Sequence, residues 1–526
     1  MATLSSDQDP SHEKPPEDDD GDEDEYEDDD DEEEDEEEED DEEEEKSLPA
    51  IEQARVKAFF SRLYKGSPVR VHVYDIVIKG NTITKDDLIE AEVADAFRSA
   101  STMQELLRAS MVANQRLRQL GIFDSVSITL DEGPHELPGT ANVIIEVVEA
   151  KNPFTGDIGV FSRLEARTWS LDGSIKRKNF FGYGDIWDTS LAYGWDQMAE
   201  LSAGVSLPRF GALSTPIMAR VSLLTQDWLK FSSYKEHLLG LSLGLLSTRH
   251  HELTYNLTWR TLTDPSQMAS KLVRRQLGHS LLSSIKYIFK IDKRDSHLRP
   301  RRGYAFLSSS QIAGLVPDSK SLRFIRQEFD LRGALPLGFY NAALNVGVAA
   351  GFVMPWGSGF MNNYSPLPDR FFIAGHSSPV CTLGGPASLL GFKYRGLGPT
   401  EPRRYIPSKP DSEDSSASVA NDVIGGDIAV ATFADLSFDL PLRLFRAAGI
   451  HGHAFICAGN LGKLFPQELK SFSLQKFGEA FRSSAGFGVI VPTKLFRMEI
   501  NYCYILRQSE HDRAKTGIQF NFSSSS

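Results

Sequence analysis

Residues 238–260 read LLGLSLGLLSTRHHELTYNLTWR, and they contain two runs in which large apolar residues alternate with small or polar ones. In the first run, leucines at 239, 241, 243 and 245 alternate with Gly, Ser and Gly. In the second run, Leu, Tyr, Leu and Trp occupy 253, 255, 257 and 259. Successive side chains of a β-strand point to opposite faces, so this period of two predicts strands with one large apolar face and one small or polar face.

The same alternation begins near residue 155 and continues to residue 522. There are about sixteen runs, and many have about nine to eleven residues, the length that a tilted strand needs to cross a bilayer. The runs begin near residues 155, 168, 185, 198, 217, 234, 249, 274, 301, 321, 340, 427, 448, 480, 494 and 513. Tryptophans near run ends, among them Trp187, Trp228 and Trp259, are typical of the aromatic girdles at membrane surfaces. The pattern predicts a transmembrane β-barrel over 155–522, with about sixteen antiparallel strands.

A soluble β-sandwich is the alternative, since its strands alternate too. Strands of such proteins commonly have about five or six residues, and their apolar face packs against a second sheet. Here the runs are longer, and the opposite face is rich in Gly, Ser, Asn and Thr, as is typical of a wet lumen. No apolar stretch reaches the roughly 18 residues of a transmembrane helix. The barrel interpretation is therefore favoured.

Charge divides the chain into two unlike parts. The net charge of −18 combines −28 in residues 1–46, which hold 30 acidic residues and two lysines, with +10 in residues 47–526. An acidic run of this kind buries no apolar surface and repels itself, so residues 1–47 are predicted to be a disordered tail. Nothing near the tail resembles a signal peptide or a mitochondrial presequence, because the apolar run and the arginines are missing.

Two further segments are predicted between the tail and the barrel. Residues 48–68 form a linker with a short amphipathic helix at 50–64. Residues 69–150 contain the pattern strand, helix, helix, strand, strand, which indicates a small α/β domain. Gly80 and Asn81 predict the turn after its first strand, and Thr84 is expected to cap the first helix.

One connection in the predicted barrel, residues 352–426, is far longer than the others. A long loop inside a compact domain is usually functional or disordered. The Gly- and Pro-rich part of this loop, 382–399, is expected to be ordered, and the polar part, 408–421, is expected to be flexible. The loop is therefore predicted to have both properties.

Residues that carry chemistry are sparse. The three cysteines, at 381, 457 and 503, form no disulfide framework and no zinc pattern. His451 and His453 lie on one face of a strand, but a pair without a third ligand is more often polar lining than a metal site. Phosphate-binding, zinc-protease and nucleophile-elbow motifs are missing. The sequence therefore predicts no enzyme activity, no cofactor or metal, and no nucleic-acid partner.

Four stretches resemble one superfamily, the POTRA-plus-barrel outer-membrane insertases. The turn at Gly80 and Asn81, with LGIFDSV at 120–126, resembles a polypeptide-transport-associated (POTRA) domain. DKRD at 292–295 and RPRRGY at 299–304 resemble the mid-barrel signature, whose characteristic residues here are Arg294, Asp295, Pro300, Arg302 and Gly303. LGGP at 383–386 through LGP at 397–399 resembles the long lumenal loop, with Gly391, Phe392 and Gly398 in its motif.

The fourth stretch is KTGIQFNF at 515–522, which resembles the β-signal that ends mitochondrial barrel proteins. Its characteristic residues are Lys515, Gly517, Phe520 and Phe522. The chain most resembles the barrel subunits of the mitochondrial sorting and assembly machinery, and among them those of plants.

The lumenal loop departs from the family pattern at one position. Members of the family have an Arg-Gly-aromatic triplet whose arginine reaches an acidic partner on the inner wall, but here Leu390 occupies the position of that arginine. Arg395, five residues later, is the candidate replacement. A leucine at this position cannot form the usual ion pair.

The resemblance implies that the protein assembles and inserts β-barrel proteins in the mitochondrial outer membrane, with its N-terminal region in the intermembrane space. The partners implied are unfolded β-barrel precursors, outer-membrane lipid and accessory subunits of an assembly complex. Clients are expected to enter the membrane through a lateral gate between the first and last strands. The alternatives are a plastid outer-envelope translocation channel or barrel insertase, which usually has several POTRA domains and a transit segment, and a plain metabolite pore.

Overall fold

The computed structural model describes residues 70–524, apart from 135, 138, 164–167, 195–197, 210–214, 249, 319, 358–363, 374–377, 382, 387, 405–419, 442, 465–472 and 493–495. For 159–163, 168–170, 246–248, 444, 474, 496 and 522–524 it describes the backbone alone. The predicted tail at 1–47, the linker helix at 50–64 and most of the polar part of the long loop therefore lie outside the described residues.

The N-terminal module is a small α/β unit in the predicted order of strand, helix, helix, strand, strand. Its elements are β1 (His72–Lys79), α1 (Asp86–Arg98), α2 (Met103–Gln119), β2 (Phe123–Glu132) and β3 (Thr140–Glu149). The three strands form one sheet in the order β1-β3-β2. Apolar side chains of α1 recur at helical spacing and are buried, as are alternate side chains of β3: Ile89, Val93, Phe97, Val143 and Ile145.

The second part of the chain is a sheet of sixteen strands, as the alternation predicts. The strands are β4 (Phe154–Arg163), β5 (Thr168–Lys178), β6 (Ile186–Gly194), β7 (Ala199–Leu207), β8 (Ile217–Asp227), β9 (Lys235–Thr248), β10 (His251–Thr263), β11 (Gly278–Asp292), β12 (Gly303–Ala313), β13 (Phe324–Pro336), β14 (Ala343–Pro355), β17 (Ile428–Asp439), β18 (His451–Gly462), β19 (Arg482–Pro492), β20 (Phe496–Arg507) and β21 (Gly517–Ser524). Each begins within about four residues of its predicted start.

All neighbouring strands of this sheet are antiparallel and consecutive along the chain, except that β14 pairs with β17. Connections therefore alternate between the two ends of the strands. We call the end at which β4 starts the near mouth and the other end the far mouth. By this alternation, the long connection between β14 and β17 leaves from the far mouth.

The apolar face of each strand points outward. In β9, the alternating Leu239, Leu241, Leu243 and Leu245 are exposed, whereas Gly240 and Gly244 between them are buried. Trp187 and Trp259 are exposed near strand ends, as predicted for a girdle, but Trp228 is buried, so its assignment to the girdle was wrong. An apolar exterior over strands of this length is the surface that lipid tails cover.

The long connection covers residues 356–427, because β14 continues to Pro355, and described parts of it lie in the lumen. Described parts of it contain a short 3₁₀ helix, Leu367–Asp369, and a two-stranded sheet of β15 (Thr400–Pro402) and β16 (Asn421–Val423). Its apolar side chains pack in one cluster with inward-facing side chains of the wall; loop members are Phe371, Ile373, Leu389, Leu390, Phe392 and Leu397, and wall members are Val353, Phe455, Cys457 and Leu461.

Four short helices lie in connections of the barrel. They are α3 (Leu229–Ser232), α4 (Lys271–Arg275), α5 (Arg443–Ala447) and α6 (Leu474–Glu479). None of the helices in the described residues is long and apolar enough to cross a membrane.

Candidate functional site

The two end strands of the large sheet, β4 and β21, form a seam. Every other strand of this sheet is hydrogen-bonded on both sides, but within the described residues no strand pairing joins β4 to β21. Ile158, in the middle of β4, is 85% exposed. Both end strands thus keep one edge of backbone N–H and C=O groups without a strand partner, and such an edge accepts a further strand readily.

The last strand has the alternation that the β-signal resemblance implies. Gly517 opens it at a φ of +114°. Ile518 and Phe520 are exposed on the outer face, whereas Gln519 and Asn521 are buried on the lumenal face. Phe522 belongs to β21, but its side chain lies outside the described residues. The strand is therefore apolar toward lipid and carries amides toward the lumen.

The lumenal-loop motif is hydrogen-bonded to the residues that precede this last strand. The amide of Lys515 donates to the carbonyl of Gly391 over 2.9 Å, and Arg513 exchanges backbone bonds with Lys393 and Gly396 at 2.9 and 2.7 Å. Phe392 forms an isolated antiparallel bridge with Ala514. The amide of Gly391 also donates to the side chain of Gln519, in β21 itself. The structure thus brings together two motifs that the sequence places more than a hundred residues apart.

Leu390 makes no polar side-chain contact with the wall but is 1% exposed in the apolar cluster. Its backbone carbonyl accepts a bond from the hydroxyl of Ser484, on β19. Nearby wall carboxylates have partners within the wall: Asp435 is 2.7 Å from His453, and Glu499 is 2.8 Å from Arg497. Both carboxylates therefore have a side-chain partner in the wall itself.

Arg395 is anchored by aromatic rings. Its guanidinium carbon lies 3.5 Å from the ring centroid of Trp228 and 3.8 Å from that of Phe372, and the residue is 6% exposed. Arg395 has a φ of +47°, so the backbone turns sharply here, and Gly398 has a φ of +110° against Leu461. Phe372 belongs to the long loop itself, whereas Trp228 belongs to the connection from β8 to β9. Cation–π contacts are strongest when desolvated, so the contact with Trp228 holds this part of the loop at the far mouth.

Buried ion pairs fix the rest of the loop to the far mouth. Arg260, on β10, lies 2.7 Å from Asp369 of the loop and 3.1 Å from Glu236 of β9. Arg403, which follows β15, and Asp422, on β16, are 2.7 Å apart, and Asp422 also accepts a bond from Ser233. Because these charges are buried, removing one partner leaves the other unpaired at a high cost.

The mid-barrel signature lies in the connection from β11 to β12, at the near mouth. Arg294 makes a two-pronged contact with Asp292, at 2.9 and 2.6 Å, and also donates to the carbonyl of Val380 in the long loop at 3.0 Å. The long loop therefore runs from the far mouth through the lumen, and Arg294 binds its deep part.

Asp295 organises the turn of the same signature. Its carboxylate accepts the amides of Arg301 at 2.8 Å and Arg302 at 3.2 Å. Partial burial raises the pKa of Asp295, but these amide bonds outweigh it and hold the pKa below its usual value. Pro300 is buried, and Gly303 has a φ of +106°, with no room for a side chain against the Lys293 carbonyl. The side chain of Arg302 is exposed.

Glu149, at the end of β3, stabilises the turn that follows β1 in the N-terminal module. Gly80 has a φ of +87°, and the side chain of Asn81 donates to the carbonyl of Thr84. Glu149 accepts the amides of Ile83 and Thr84 and the hydroxyl of Thr84, at 2.6 to 3.0 Å. Thr84 was predicted to cap α1, and this was wrong: the N-cap is Lys85, which makes no side-chain cap bond.

Comparison with known proteins decides the family. The Omp85 superfamily domain matches residues 179–525, and the POTRA family, described as surface antigen variable number repeat, matches residues 71–150. The sorting and assembly machinery component 50 homologue of Mus musculus is 30% identical over 83% of this chain and 86% of its own length. The chain belongs to the Omp85 superfamily and, within it, to the sorting and assembly machinery component 50 family.

Further similarities agree with that membership. The Homo sapiens member of the family is 29% identical over 83% of this chain and 86% of its own length. Among solved structures, BamA from Haemophilus ducreyi lacking POTRA domains 1–3 matches with a TM-score of 0.67, at 16% identity, over 86% of this chain and 84% of that one. The predicted fold, a barrel of sixteen strands behind one POTRA domain, is confirmed.

The POTRA domain of this Omp85 member contacts the barrel at the connection between β5 and β6. Val73–Ser99 and Ala109–Ser526 cluster as one compact unit. The side chain of Asn179 donates to the hydroxyl of Thr84 at 2.8 Å, and the carbonyl of Gly182 accepts the amide of Lys85 at 3.0 Å.

A buried ion pair adds to this contact between POTRA domain and barrel. Arg209, which follows β7, lies 2.7 Å from Glu92 on α1. Its guanidinium also donates to the carbonyl of Ala91 at 2.8 Å. Sequence reasoning missed these contacts because no local pattern marks a polar residue in one domain as the partner of another.

The described part of the Omp85 lumen contains polar clusters. His453 lies between Asp435 and Asn501, 2.7 Å from each. Within the described residues, no group of three or more His, Cys, Asp or Glu side chains is arranged to hold a metal ion.

Proposed function

We propose that this protein assembles and inserts β-barrel proteins into the mitochondrial outer membrane. The observation that carries the proposal is the seam, where β4 and β21 present edges that have no strand partner among the described residues. A backbone group without a hydrogen-bond partner in hydrocarbon costs several kcal/mol, so a barrel that folds strand by strand in lipid faces a large barrier. A membrane-embedded edge lowers that barrier because it supplies the missing partner.

The client enters through a lateral gate at this seam. Its own C-terminal strand pairs with an exposed edge by β-augmentation, in which backbone bonds supply the affinity and alternating side chains supply the specificity. Ile158, on β4, and Phe520, on β21, both have exposed apolar side chains. An amphipathic client strand with its apolar face toward lipid therefore matches the end strand on either side of the seam. Later client strands then add to the first.

The lumenal loop positions the gate. Its Gly391–Gly396 segment is bonded to the residues that precede β21, and its deep part is bonded to Arg294. These contacts connect the loop motif with both the mid-barrel signature and the β-signal. A change at one of the three motifs thereby affects the others through hydrogen bonds, with no covalent step. The POTRA domain lies in the intermembrane space and passes precursors to the barrel, and accessory subunits complete the complex.

Photo-crosslinking tests the gate. A benzophenone amino acid is placed at Ile158 or Phe520 on the end strands, at Leu241 on the outer face of β9, or at Ser309 on the lumenal face of β12. A radiolabelled barrel precursor is then arrested during import into mitochondria that contain the variant. Lateral insertion predicts adducts at 158 and 520 and none at 241.

The same four positions separate the rival functions. Adducts confined to 309 indicate threading through the lumen, as in a translocation channel, and exclude the lateral gate. A metabolite pore predicts no precursor adduct at any position. Formation of the complex at normal size on native gels shows that each variant has folded.

A further inference from the structure

The wall of the barrel has a notch at the far mouth, beside β11. β11 starts at Gly278, but its pairing with β12 begins only at Ser284, opposite Ala313. The first six residues of β11 therefore extend past the end of β12. The connection from β12 to β13 covers part of this edge, through bonds of Leu281 to Lys320 at 3.0 Å and to Leu322 at 2.9 Å.

The remaining space is a cavity of about 720 Å³. Its walls come from α4, the start of β11, the connection between β12 and β13, and the long loop around Tyr364–Pro368. Ser321, which lines it, has a buried hydroxyl without a hydrogen-bond partner. A cavity of this size holds a small polar molecule or a head group.

The charge of this cavity is positive. Four cationic side chains line it, and of these Arg260 is paired with Glu236 and Asp369. The other three, Arg275, Lys320 and Arg323, have no carboxylate partner in the described part of the chain. Asp318 is the one carboxylate among the lining residues.

Arg275 is held in place without losing its charge. It donates to the hydroxyl of Tyr364 at 3.0 Å, and its guanidinium lies 5.7 Å from the Tyr364 ring. The guanidinium group has five donors, so most of them remain available to a ligand.

The cavity lies at the level of the membrane surface. Trp259, on the outer face of β10, is exposed and stacks on His279 of the cavity wall with ring centroids 5.7 Å apart. The ammonium of Lys320 lies 6.0 Å from the Trp259 ring. Aromatic girdles mark the depth at which lipid head groups lie, so the three cations face that layer.

We propose that this notch binds the phosphate of an anionic phospholipid head group. Arginine and lysine together form charge-assisted bonds to phosphate oxygens, and the unpartnered hydroxyl of Ser321 adds a donor. Basic pockets beside membrane-spanning segments bind anionic head groups in this way. The site is distinct from the seam and does not depend on the proposed insertion of clients.

Native mass spectrometry of the full-length protein in detergent tests the site. The protein is titrated with phosphatidylglycerol or with phosphatidylcholine of the same acyl chains, and glycerol 1-phosphate serves as the soluble competitor. The triple variant R275Q/K320Q/R323Q removes the three free cations. The control variant R443Q/R446Q/K476Q removes three exposed cations elsewhere in the barrel connections.

The wild-type and control proteins are expected to bind phosphatidylglycerol more tightly than phosphatidylcholine. The R275Q/K320Q/R323Q variant is expected to bind phosphatidylglycerol at least about tenfold more weakly than the wild type. Displacement by glycerol 1-phosphate would assign the site to soluble phosphate esters, and its failure to compete would assign it to lipid. The proposal is overturned if the two triple variants bind phosphatidylglycerol equally, or if the wild type does not distinguish the lipids. Retention of heat-modifiable mobility on gels shows that the variants are folded.

Discussion

The amide of Lys515 lies 2.9 Å from the carbonyl of Gly391 and donates a hydrogen bond to it. Lys515 leads directly into the last strand of the barrel, whereas Gly391 is the glycine of the lumenal-loop motif. The bond makes the position of an edge strand depend on the packing of a loop in the lumen. Changes to the loop should therefore affect the seam, although the loop contributes no strand to it.

Gly391→Ala tests this dependence. Gly391 has a φ of +91°, and an added Cβ would lie 2.8 Å from the Ile505 side chain, so the variant combines strain with a clash. Residues held in such a conformation cost about 1–3 kcal/mol, which predicts assembly of a barrel client slowed about fivefold or more. The measurement is the assembly rate of a radiolabelled precursor in isolated mitochondria. Gly384→Ala is the matched control, because a Cβ there meets nothing within 4 Å. Equal rates for the two variants would contradict the coupling.

Arg395→Leu should loosen the long loop. The substitution removes two cation–π contacts, each of which contributes about 0.5–2 kcal/mol. The temperature at which the folded barrel loses its faster gel mobility should fall in Arg395→Leu. In Arg395→Lys this temperature should fall less. Lys393→Leu is the control, since the Lys393 side chain is exposed two residues away. If adding Leu390→Arg to the Arg395→Leu variant restores the wild-type transition temperature, the two positions serve the same anchoring purpose. An unchanged transition temperature in Arg395→Leu would exclude an anchor.

The ion pair between Arg209 and Glu92 should hold the POTRA domain against the barrel. Both side chains are mostly buried, at 11% and 16% exposure, so reversing one charge places like charges together. Arg209→Glu and Glu92→Arg should each speed hydrogen exchange in α1 several-fold, as expected for a pair worth about 1 kcal/mol or more. The double swap should restore slow exchange. Additive effects in the double swap would show that the two side chains do not interact.

Glu149 should make the POTRA turn sensitive to acid. Partial burial raises its pKa, but the bonds from Thr82, Thr84 and Ile83 outweigh this and lower the pKa from 4.5 to about 2. A carboxyl with a lowered pKa stabilises the fold above its unfolded pKa, and this contribution is lost as the pH falls from about 4.5 to about 2. Titration by NMR of carboxyl-labelled glutamate should show this, with Glu149→Gln to assign the signal.

Exchange at the amides of Ile83 and Thr84 provides a second measurement. At pH 7 these amides should exchange faster in Glu149→Gln than in the wild type, because the neutral side chain accepts weaker bonds. A Glu149 carboxyl that titrates near 4.5 would mean that the bonds do not form in solution.

The barrel could be predicted because its signal is local. Leucines at 239, 241 and 243 and glycines at 240 and 244 specify both a strand and the face that it turns to lipid. Strand ends were less well defined: β11 starts four residues after the predicted position because the preceding segment, Lys271–Arg275, forms a helix.

The site was harder to predict because its contacts are long-range. Thr84 has the chemistry of a helix cap, but a glutamate 65 residues later takes its hydroxyl. Trp228 looks like a girdle residue from its place at a strand end, yet Arg395 from the long loop covers it. Resemblance to the family identified the loop motif, the mid-barrel signature and the β-signal. It did not predict the contact of Gly391 with Lys515 or that of Arg294 with Val380. The roles of these residues in insertion, and the plant source, remain predictions.

The bonds of Asn179 and Gly182 to the POTRA domain have a mechanical consequence. These residues connect β5 to β6, and β5 is paired along its length with β4, the strand at the seam. If the POTRA domain tilts relative to the barrel, either those bonds break or the hairpin of β5 and β6 moves with the domain. In the proposed insertion mechanism, a force on the domain acts on a hairpin that is only one strand away from the edge proposed to receive the precursor.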